Sequence, residues 1–220
     1  LSETRRIDAA DPANPYFRAS IREAAARIRS GGVVVFPTRC LYGLGADARD
    51  PAAVGRVFDI KLRPKDKPIL VLVHRMSDVE RFAERVPAYA RRIMTRIWPG
   101  GVTLVFEASA GVCPLLTAGS GKIGIRLCAH PAAKALLEAT GGPITGTSAN
   151  ISEAPACDDI SRLDPRIAAA VDLILDAGPL AGGIGSTVVD VTGDHPRILR
   201  DGAIPATRIL EIAQDRAQMG

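Results

Sequence analysis

Val33-Val34-Val35-Phe36-Pro37-Thr38-Arg39-Cys40-Leu41-Tyr42-Gly43-Leu44-Gly45 is the stretch from which the fold can be read. Its apolar opening, entered from Gly31-Gly32 and closed by Pro37, reads as a short strand buried on both faces. Strands of that kind belong to α/β proteins, where helices cover the sheet on either side. The remainder, Thr38 to Gly45, reads as a tight loop whose glycines, Thr and Tyr bring backbone N–H groups and hydroxyls near a ligand, or else as a plain strand-to-helix connection.

Upstream of this stretch, Asn14-Pro15 caps and starts a helix with Ile21, Ala24, Ala25 and Ile28 on one face. Residues 1–13 read as a loose lead-in to a single domain over 14–220. Downstream, Asp50-Pro51 starts a helix with Val54, Val57 and Phe58 facing inward. Strands are predicted over Ile69 to Val73, Val102 to Phe106 and Ile123 to Leu127, and helices over Pro87 to Ile97 and from Pro131. Further strands fall near 143–147 and 172–176, then over Ser186 to Asp190 and Arg197 to Arg200, before a last helix near Pro205. The late strands lie too close together for crossover helices, so the predicted sheet is mixed.

Bulk composition narrows the class. A chain of 220 residues can bury one sizeable core. Aromatic residues are only 4% of it, so that core rests on Val, Ile, Leu and Ala. No apolar run reaches membrane-spanning length, and charges stand where a signal peptide needs apolar residues. Cys40, Cys113, Cys128 and Cys157 are widely spaced and read as reduced thiols of a cytoplasmic protein. The net charge of +4 suits a partner carrying phosphates, nucleic acid included.

Polar residues that resist a core role gather at strand and helix ends, where α/β proteins bind ligands. Lys61, Arg63, Lys65 and Lys67 crowd one short loop that also holds Pro64 and Pro68. They fit either a phosphate clamp or a solvated helix end. On the strand from Lys122, Ile123, Ile125 and Leu127 share one face while Lys122, Gly124 and Arg126 share the other. That basic face must line a polar cleft or lie at a sheet edge, because an unpaired buried charge is very costly. Thr145-Gly146-Thr147-Ser148-Ala149-Asn150 ends a strand with small polar side chains that suit phosphate, ribose or a simple turn. Ser186-Thr187 opens another strand, and Arg200-Asp201-Gly202 closes one. Trp98-Pro99-Gly100-Gly101 reads as a mainly structural turn into Thr103, whose own role stays open. His74, His130 and His195 lack metal-ligand spacing, so no metal site is predicted. There is no P-loop and no G-x-S-x-G elbow.

Taken in order, Pro-Thr-x-x-x-Tyr-Gly-Leu-Gly, Lys-x-Arg-Pro, Trp-Pro-Gly, Ser-Ala-Asn, Ser-Thr-Val-Val-Asp and Arg-x-Gly resemble the YrdC-like threonylcarbamoyl-adenylate synthase family, from about Gly32 to Gly202. The resemblance implies a three-layer α/β fold with a mixed, twisted sheet, flanked by helices around a basic cavity. It implies that the chain is a short form without the extra C-terminal domain of longer relatives. Carried over by motif, Lys61 and Arg63 would be catalytic. ATP would be held by Lys61, Arg63, Lys67, Lys122, Ser148, Asn150 and Arg200, and threonine by Thr38, Cys40, Arg126 and Ser186. Lys61 and Arg63 are both expected in a polar loop that does not support the core.

The implied reaction joins L-threonine and bicarbonate as a carbamate, which attacks the α-phosphorus of ATP and expels pyrophosphate. Magnesium would arrive with ATP, and the product would go to separate tRNA-modifying transferases, with direct RNA binding as a further expectation. The chain departs from the family pattern at Arg39 and Cys40 (usually Glu and Thr), at Leu72 (usually His), and at Gly101, Cys128 and Glu153. Two other readings remain open on these residues: a non-catalytic nucleotide- or RNA-binding relative, and an adenylating enzyme with a different amino or carbamoyl substrate.

Overall fold

In the computed structural model, residues 3–8 and 11–215 are described. The first half of the chain forms β1 (Glu3–Arg6), α1 (Pro15–Arg29), the hairpin β2 (Val34–Pro37) and β3 (Tyr42–Gly45), α2 (Pro51–Lys61), β4 (Val71–Val73), α3 (Ala88–Ile97) and β5 (Val102–Glu107). The second half adds α4 (Pro114–Thr117), β6 (Lys122–Leu127), α5 (Pro131–Thr140), β7 (Ile144–Thr145), β8 (Thr147–Ser148), α6 (Pro165–Ala170), β9 (Leu173–Asp176), β10 (Thr187–Asp190), β11 (Arg197–Arg200) and α7 (Ala206–Gln214). Short 3₁₀ turns at Met76–Arg81 and Ile160–Arg162 complete the path.

Local chemistry explains where the longer helices start. The Asn14 side chain accepts from the Tyr16 N–H at 2.9 Å, and Pro15 supplies the first turn of α1. Asp50 does the same for α2, accepting from Ala52 at 2.9 Å and Ala53 at 3.3 Å ahead of Pro51. Phe17, Ile21, Ala24, Ala25 and Ile28 form the buried stripe of α1.

The architecture is the expected mixed α/β, with the strands divided between two sheets. One runs β1-β9-β2-β3-β8 and the other β11-β10-β5-β6-β4-β7. Strand β2 is buried on both faces, as its apolar run predicts. Val34 and Phe36 join Leu173, Leu175, α1 and α5 on one side, while Val33 and Val35 join Ile174 in the larger core on the other. That larger core also takes in apolar residues of α2, α3, α6 and α7.

Two readings change. The lead-in expected over residues 1–13 contains β1, which lies parallel to β9 at the edge of the first sheet. Backbone pairing recruits it, helped by an ion pair from Arg5 Nε to Glu23 of α1 at 2.9 Å, so its polar side chains gave no periodic signal. The expected loop over Thr38–Gly45 is instead a turn followed by strand β3, which pairs antiparallel with β2. Gly45 is needed there because the Phe36 ring occupies the space of its side chain, its Cε1 lying 2.9 Å from where a Cβ would sit.

The segment from Ile144 to Ser148 belongs to both sheets. β7 pairs with β4 in the second sheet, and β8 pairs with β3 in the first. Thr145 ties the crossing down: its hydroxyl donates to the Leu44 carbonyl at 2.9 Å and accepts from the Ala46 N–H at 3.0 Å. Gly202 is a second tight point. A Cβ there would lie 2.4 Å from the Ser186 carbonyl carbon, 2.5 Å from the Thr187 nitrogen and 2.6 Å from the Gly185 oxygen. All three are backbone atoms that cannot swing aside. Gly202→Ala should therefore lower stability by about 1–3 kcal/mol, measured by urea unfolding; an unchanged midpoint would contradict this close approach.

Candidate functional site

Between the two sheets lies a cavity of about 700 Å³, within the range of small-molecule sites. Its wall is drawn from the β2–β3 turn, β3, β5, β6, β8, β10 and β11, together with the glycine-containing stretch Gly183–Ser186. Arg39, Arg63, Lys122, Arg126 and Arg200 all reach it, and no Asp or Glu is among its lining residues. The alternation along β6 accounts for two of these. Ile123 and Ile125 are fully buried in the larger core, so Lys122, Gly124 and Arg126 must face the other way. Because β6 lies between β5 and β4, the basic face lines a cleft rather than a sheet edge.

Each cation is held differently. Lys122 Nζ meets Asp190 Oδ2 and Thr192 Oγ1, both at 2.9 Å. Burial would raise the Asp190 carboxyl, but bonds from Thr192, Lys122 and Arg197 bring it down to about 2. Arg63 donates through Nε to the Lys67 carbonyl at 3.0 Å and through Nη2 to the Pro68 carbonyl at 2.8 Å. Burial pushes its pKa below the usual guanidinium value. Arg200 donates to the Ser186 carbonyl at 2.8 Å. The Arg126 side chain has no hydrogen-bond or ion-pair partner among the described residues. Burial lowers its pKa; the nearby Cys128 raises it, while Arg39 and Arg200 lower it further by like-charge repulsion.

Hydroxyls complete the wall. Thr103 and Ser186 share a buried hydrogen bond of 2.7 Å, which gives Thr103 its role. Thr38 closes the turn beside the cavity, its Oγ1 donating to the Leu41 carbonyl at 2.6 Å. Trp98 is structural, with Nε1 donating to the Val102 carbonyl at 2.8 Å.

Of the residues singled out from sequence, Thr38, Cys40, Arg63, Lys122, Arg126, Ser148, Ser186 and Arg200 meet on this one wall. Lys61, Lys67 and Asn150 do not line it. Lys67 pairs with Glu153 at 2.7 Å on the exposed surface, and Glu153 holds a left-handed backbone with φ of 70°. Asn150 faces a smaller adjoining pocket, and its side chain accepts from the Ser148 hydroxyl at 2.5 Å. Leu72 is fully buried in the apolar core under α1 and α5. Arg39 stood out in the sequence only as a departure from a motif; its place on the wall depends on the β2–β3 turn, in a stretch that reads from sequence as a tight loop or a strand-to-helix connection.

Lys61 overturns the expectation that it sits in a polar loop that does not support the core. It ends α2 and is 1% exposed, with Nζ 2.5 Å from the Ser148 carbonyl, 2.7 Å from the Asn150 carbonyl and 3.2 Å from Asn150 Oδ1. Burial, with repulsion from Arg63, pulls the ammonium down to about 7. The three oxygens each call for a donor and so favour the charged form, which has one N–H for each.

The family pattern of Sua5/YciO/YrdC, described as telomere recombination, matches residues 26–202. A threonylcarbamoyl-AMP synthase from Pyrococcus abyssi is 37% identical over 192 residues, covering 87% of this chain and 56% of that protein. The crystal structure of P. abyssi Sua5 complexed with L-threonine superposes with a TM-score of 0.86 at 34% identity, covering 96% of this chain and 60% of that one. E. coli YciO gives a TM-score of 0.82 at 29% identity, covering 96% of this chain and all of that one. The chain thus spans a little over half the length of the first curated relatives it matches. No helix among the described residues is long and apolar enough to cross a membrane.

Two measurements test this geometry. Lys61→Ala takes a donor from three oxygens. The Ser148 carbonyl keeps the Asn150 N–H and Asn150 Oδ1 keeps the Ser148 hydroxyl, but the Asn150 carbonyl loses its bond. The change should cost about 1–3 kcal/mol, or roughly 3–10 °C in Tm; Arg63→Ala should lose less than half as much, and equal losses would show that Lys61 pins nothing. Asp190 is ionised more readily folded than unfolded, so its contribution is full above about pH 4 and is lost as pH falls towards 2. Asp190→Asn should flatten the fall of unfolding free energy over that window, and an unchanged slope would remove the Lys122–Asp190–Arg197 cluster from the account.

Proposed function

The chain belongs to the Sua5/YciO/YrdC family, and on that premise we propose that it is a threonylcarbamoyl-AMP synthase. Its substrates would be L-threonine, bicarbonate and ATP, with magnesium arriving on the nucleotide. Its product would serve the threonylcarbamoyl modification of adenosine in tRNA, through separate transferases. The observation that carries this reading is the cavity wall with five cations and no carboxylate. A triphosphate and an amino acid carboxylate are the anions that such a wall would balance.

The chemistry follows from that balance. The amine of threonine takes up bicarbonate to give an N-carboxylate, and one of its oxygens attacks the α-phosphorus. The bond from that phosphorus to the bridging oxygen breaks and pyrophosphate leaves. An attacking oxygen that is already anionic needs no general base. What the step requires is alignment and neutralisation of phosphate charge.

Arg63, Arg200 and Lys122 would hold the phosphates, and Ser148 would bond the nucleotide. Arg126, beside Ser186, Thr38 and Cys40, would take the threonine carboxylate by a two-pronged bond. Lys61 would act from behind the wall, holding the Ser148–Asn150 turn in place. Lys67 would need to leave Glu153 to reach a phosphate, an exposed pair of small cost to open.

The assay incubates the purified chain with ATP, bicarbonate and threonine. Pyrophosphate should appear above the threonine-free control together with threonylcarbamoyl-AMP by mass. Arg63→Ala should slow release on the order of 100-fold or more. Absence of threonine-dependent release by the unaltered protein would end the reading.

A further inference from the structure

Arg39 is the cation for which the proposed phosphate and carboxylate contacts leave no task. It stands at the β2–β3 turn, closed by the Thr38 N–H and Oγ1 both reaching the Leu41 carbonyl, at 3.0 and 2.6 Å. Its guanidinium lines the cavity beside the Gly100-Gly101 turn, with Nη2 3.8 Å from where a Gly101 Cβ would be. Anything larger than a methyl group at position 101 would compete with it for space. The same turn reaches the end of β6, where the Gly100 N–H donates to the Leu127 carbonyl at 3.3 Å. Arg39 and Arg126 therefore line the same part of the cavity, and the charge of Arg39 is felt at Arg126. Neither side chain has a hydrogen-bond or ion-pair partner among the described residues. The other wall cations are all engaged: Lys122 with Asp190, and Arg63 and Arg200 with backbone carbonyls.

Arg39 is exposed at the cavity and Arg126 is half-buried, and two cations facing one space without protein partners complement a ligand that carries two anionic groups. Threonine supplies a single carboxylate. Its N-carboxylate intermediate supplies two, separated by the α-carbon and the nitrogen. We propose that Arg39 binds the N-carboxylate formed from bicarbonate while Arg126 holds the α-carboxylate, making Arg39 the bicarbonate-handling residue of this chain. The assignment rests on the synthase reading.

The same charge assists the step that makes this group. Only the neutral amine attacks bicarbonate, and a guanidinium beside a substrate ammonium disfavours the protonated form. The nitrogen lone pair forms a bond to the carbonate carbon, and the hydroxyl oxygen departs with an amine proton as water. The net change is amine plus bicarbonate to carbamate plus water, with one negative charge retained on the new carboxylate. That charge develops where Arg39 can meet it with paired N–H donors.

The test reads binding without turnover. N-oxalyl-L-threonine has a neutral nitrogen and a second carboxylate, whereas N-carbamoyl-L-threonine keeps the α-carboxylate and carries an uncharged amide in place of the second. Calorimetric titration of the full chain should give at least about 10-fold tighter binding of the oxalyl compound. Arg39→Ala should erase that preference, shift threonine affinity by less than about 3-fold, and keep the Tm, since the side chain it removes has no protein partner. Arg39→Lys should restore part of the preference.

In the pyrophosphate assay, Arg39→Ala should raise the KM for bicarbonate about 10-fold and leave that for threonine nearly unchanged. A preference that survives in Arg39→Ala, or an unaltered protein that binds neither compound or both alike, overturns the proposal. So does a taste for acidic amino acids over threonine that Arg39→Ala abolishes, which would give the guanidinium to a substrate side chain. Intact binding preference without turnover counts against the synthase reading alone, and turnover without the preference counts against Arg39 alone.

Discussion

Five residues, Ile144 to Ser148, are shared between two sheets, and the cleft exists because they are held in that position. Strand pairs only two residues long contribute few ladder bonds of their own, and isolated short pairings are marginal in water. Bonds beyond the strand ladders make up the deficit. Thr145 bonds the first sheet at Leu44 and Ala46, Gly146 donates to the Leu70 carbonyl at 2.8 Å, and Lys61 grips the Ser148 and Asn150 carbonyls. A buried ammonium is tolerable because three oxygens replace the water it gives up. Were the crossing to loosen, β3 and β4 would no longer be tied through it, and the wall they help to build would lose its shape.

Electrostatics supplies the second constraint, and it opposes the first. The fold gathers like charges around one space, which a folded chain left to itself would avoid. Lys122 is offset by Asp190, and Arg63 and Arg200 lean on carbonyls, but Arg39 and Arg126 carry their charge unbalanced among the described residues. For Arg126, whose charge burial disfavours, stability given up in this way is characteristic of sites that recover it when an anion binds. It also fixes the division of labour: cations on rigid strands and turns neutralise and align, and the reaction needs little acid or base. The three histidines lie off the cavity wall, in keeping with that division.

How much of this was legible varies with the physics of each element. α1 and α2 announce themselves by Asn14-Pro15 and Asp50-Pro51, because caps act within one turn of the residues that supply them. β2 is visible as an unbroken apolar run, because both of its faces are buried. β3 was hidden by its glycines, whose purpose is the ring of Phe36 on the neighbouring strand. β1 was hidden because an edge strand can be recruited by backbone bonds and ion pairs, with no apolar alternation. For the site, Arg63, Lys122, Arg126, Ser148, Ser186 and Arg200 were readable as residue types in order. Lys61 was readable as important but not as buried, since nothing in Lys-x-Arg-Pro tells which way the last residue of a helix points.

The amino-acid sequence by itself determined the α/β class, the helix starts, the doubly buried strand and the inventory of cations and hydroxyls, because each depends on neighbours within a few positions. Only the tertiary structure decided that the strands divide into two sheets, that the basic face of β6 looks into a cleft, that Lys61 works from behind the wall and that Arg39 stands unpaired beside Arg126. Those facts depend on groups brought together from distant parts of the chain, and local pattern carries no record of which side of a packed strand its partners will occupy.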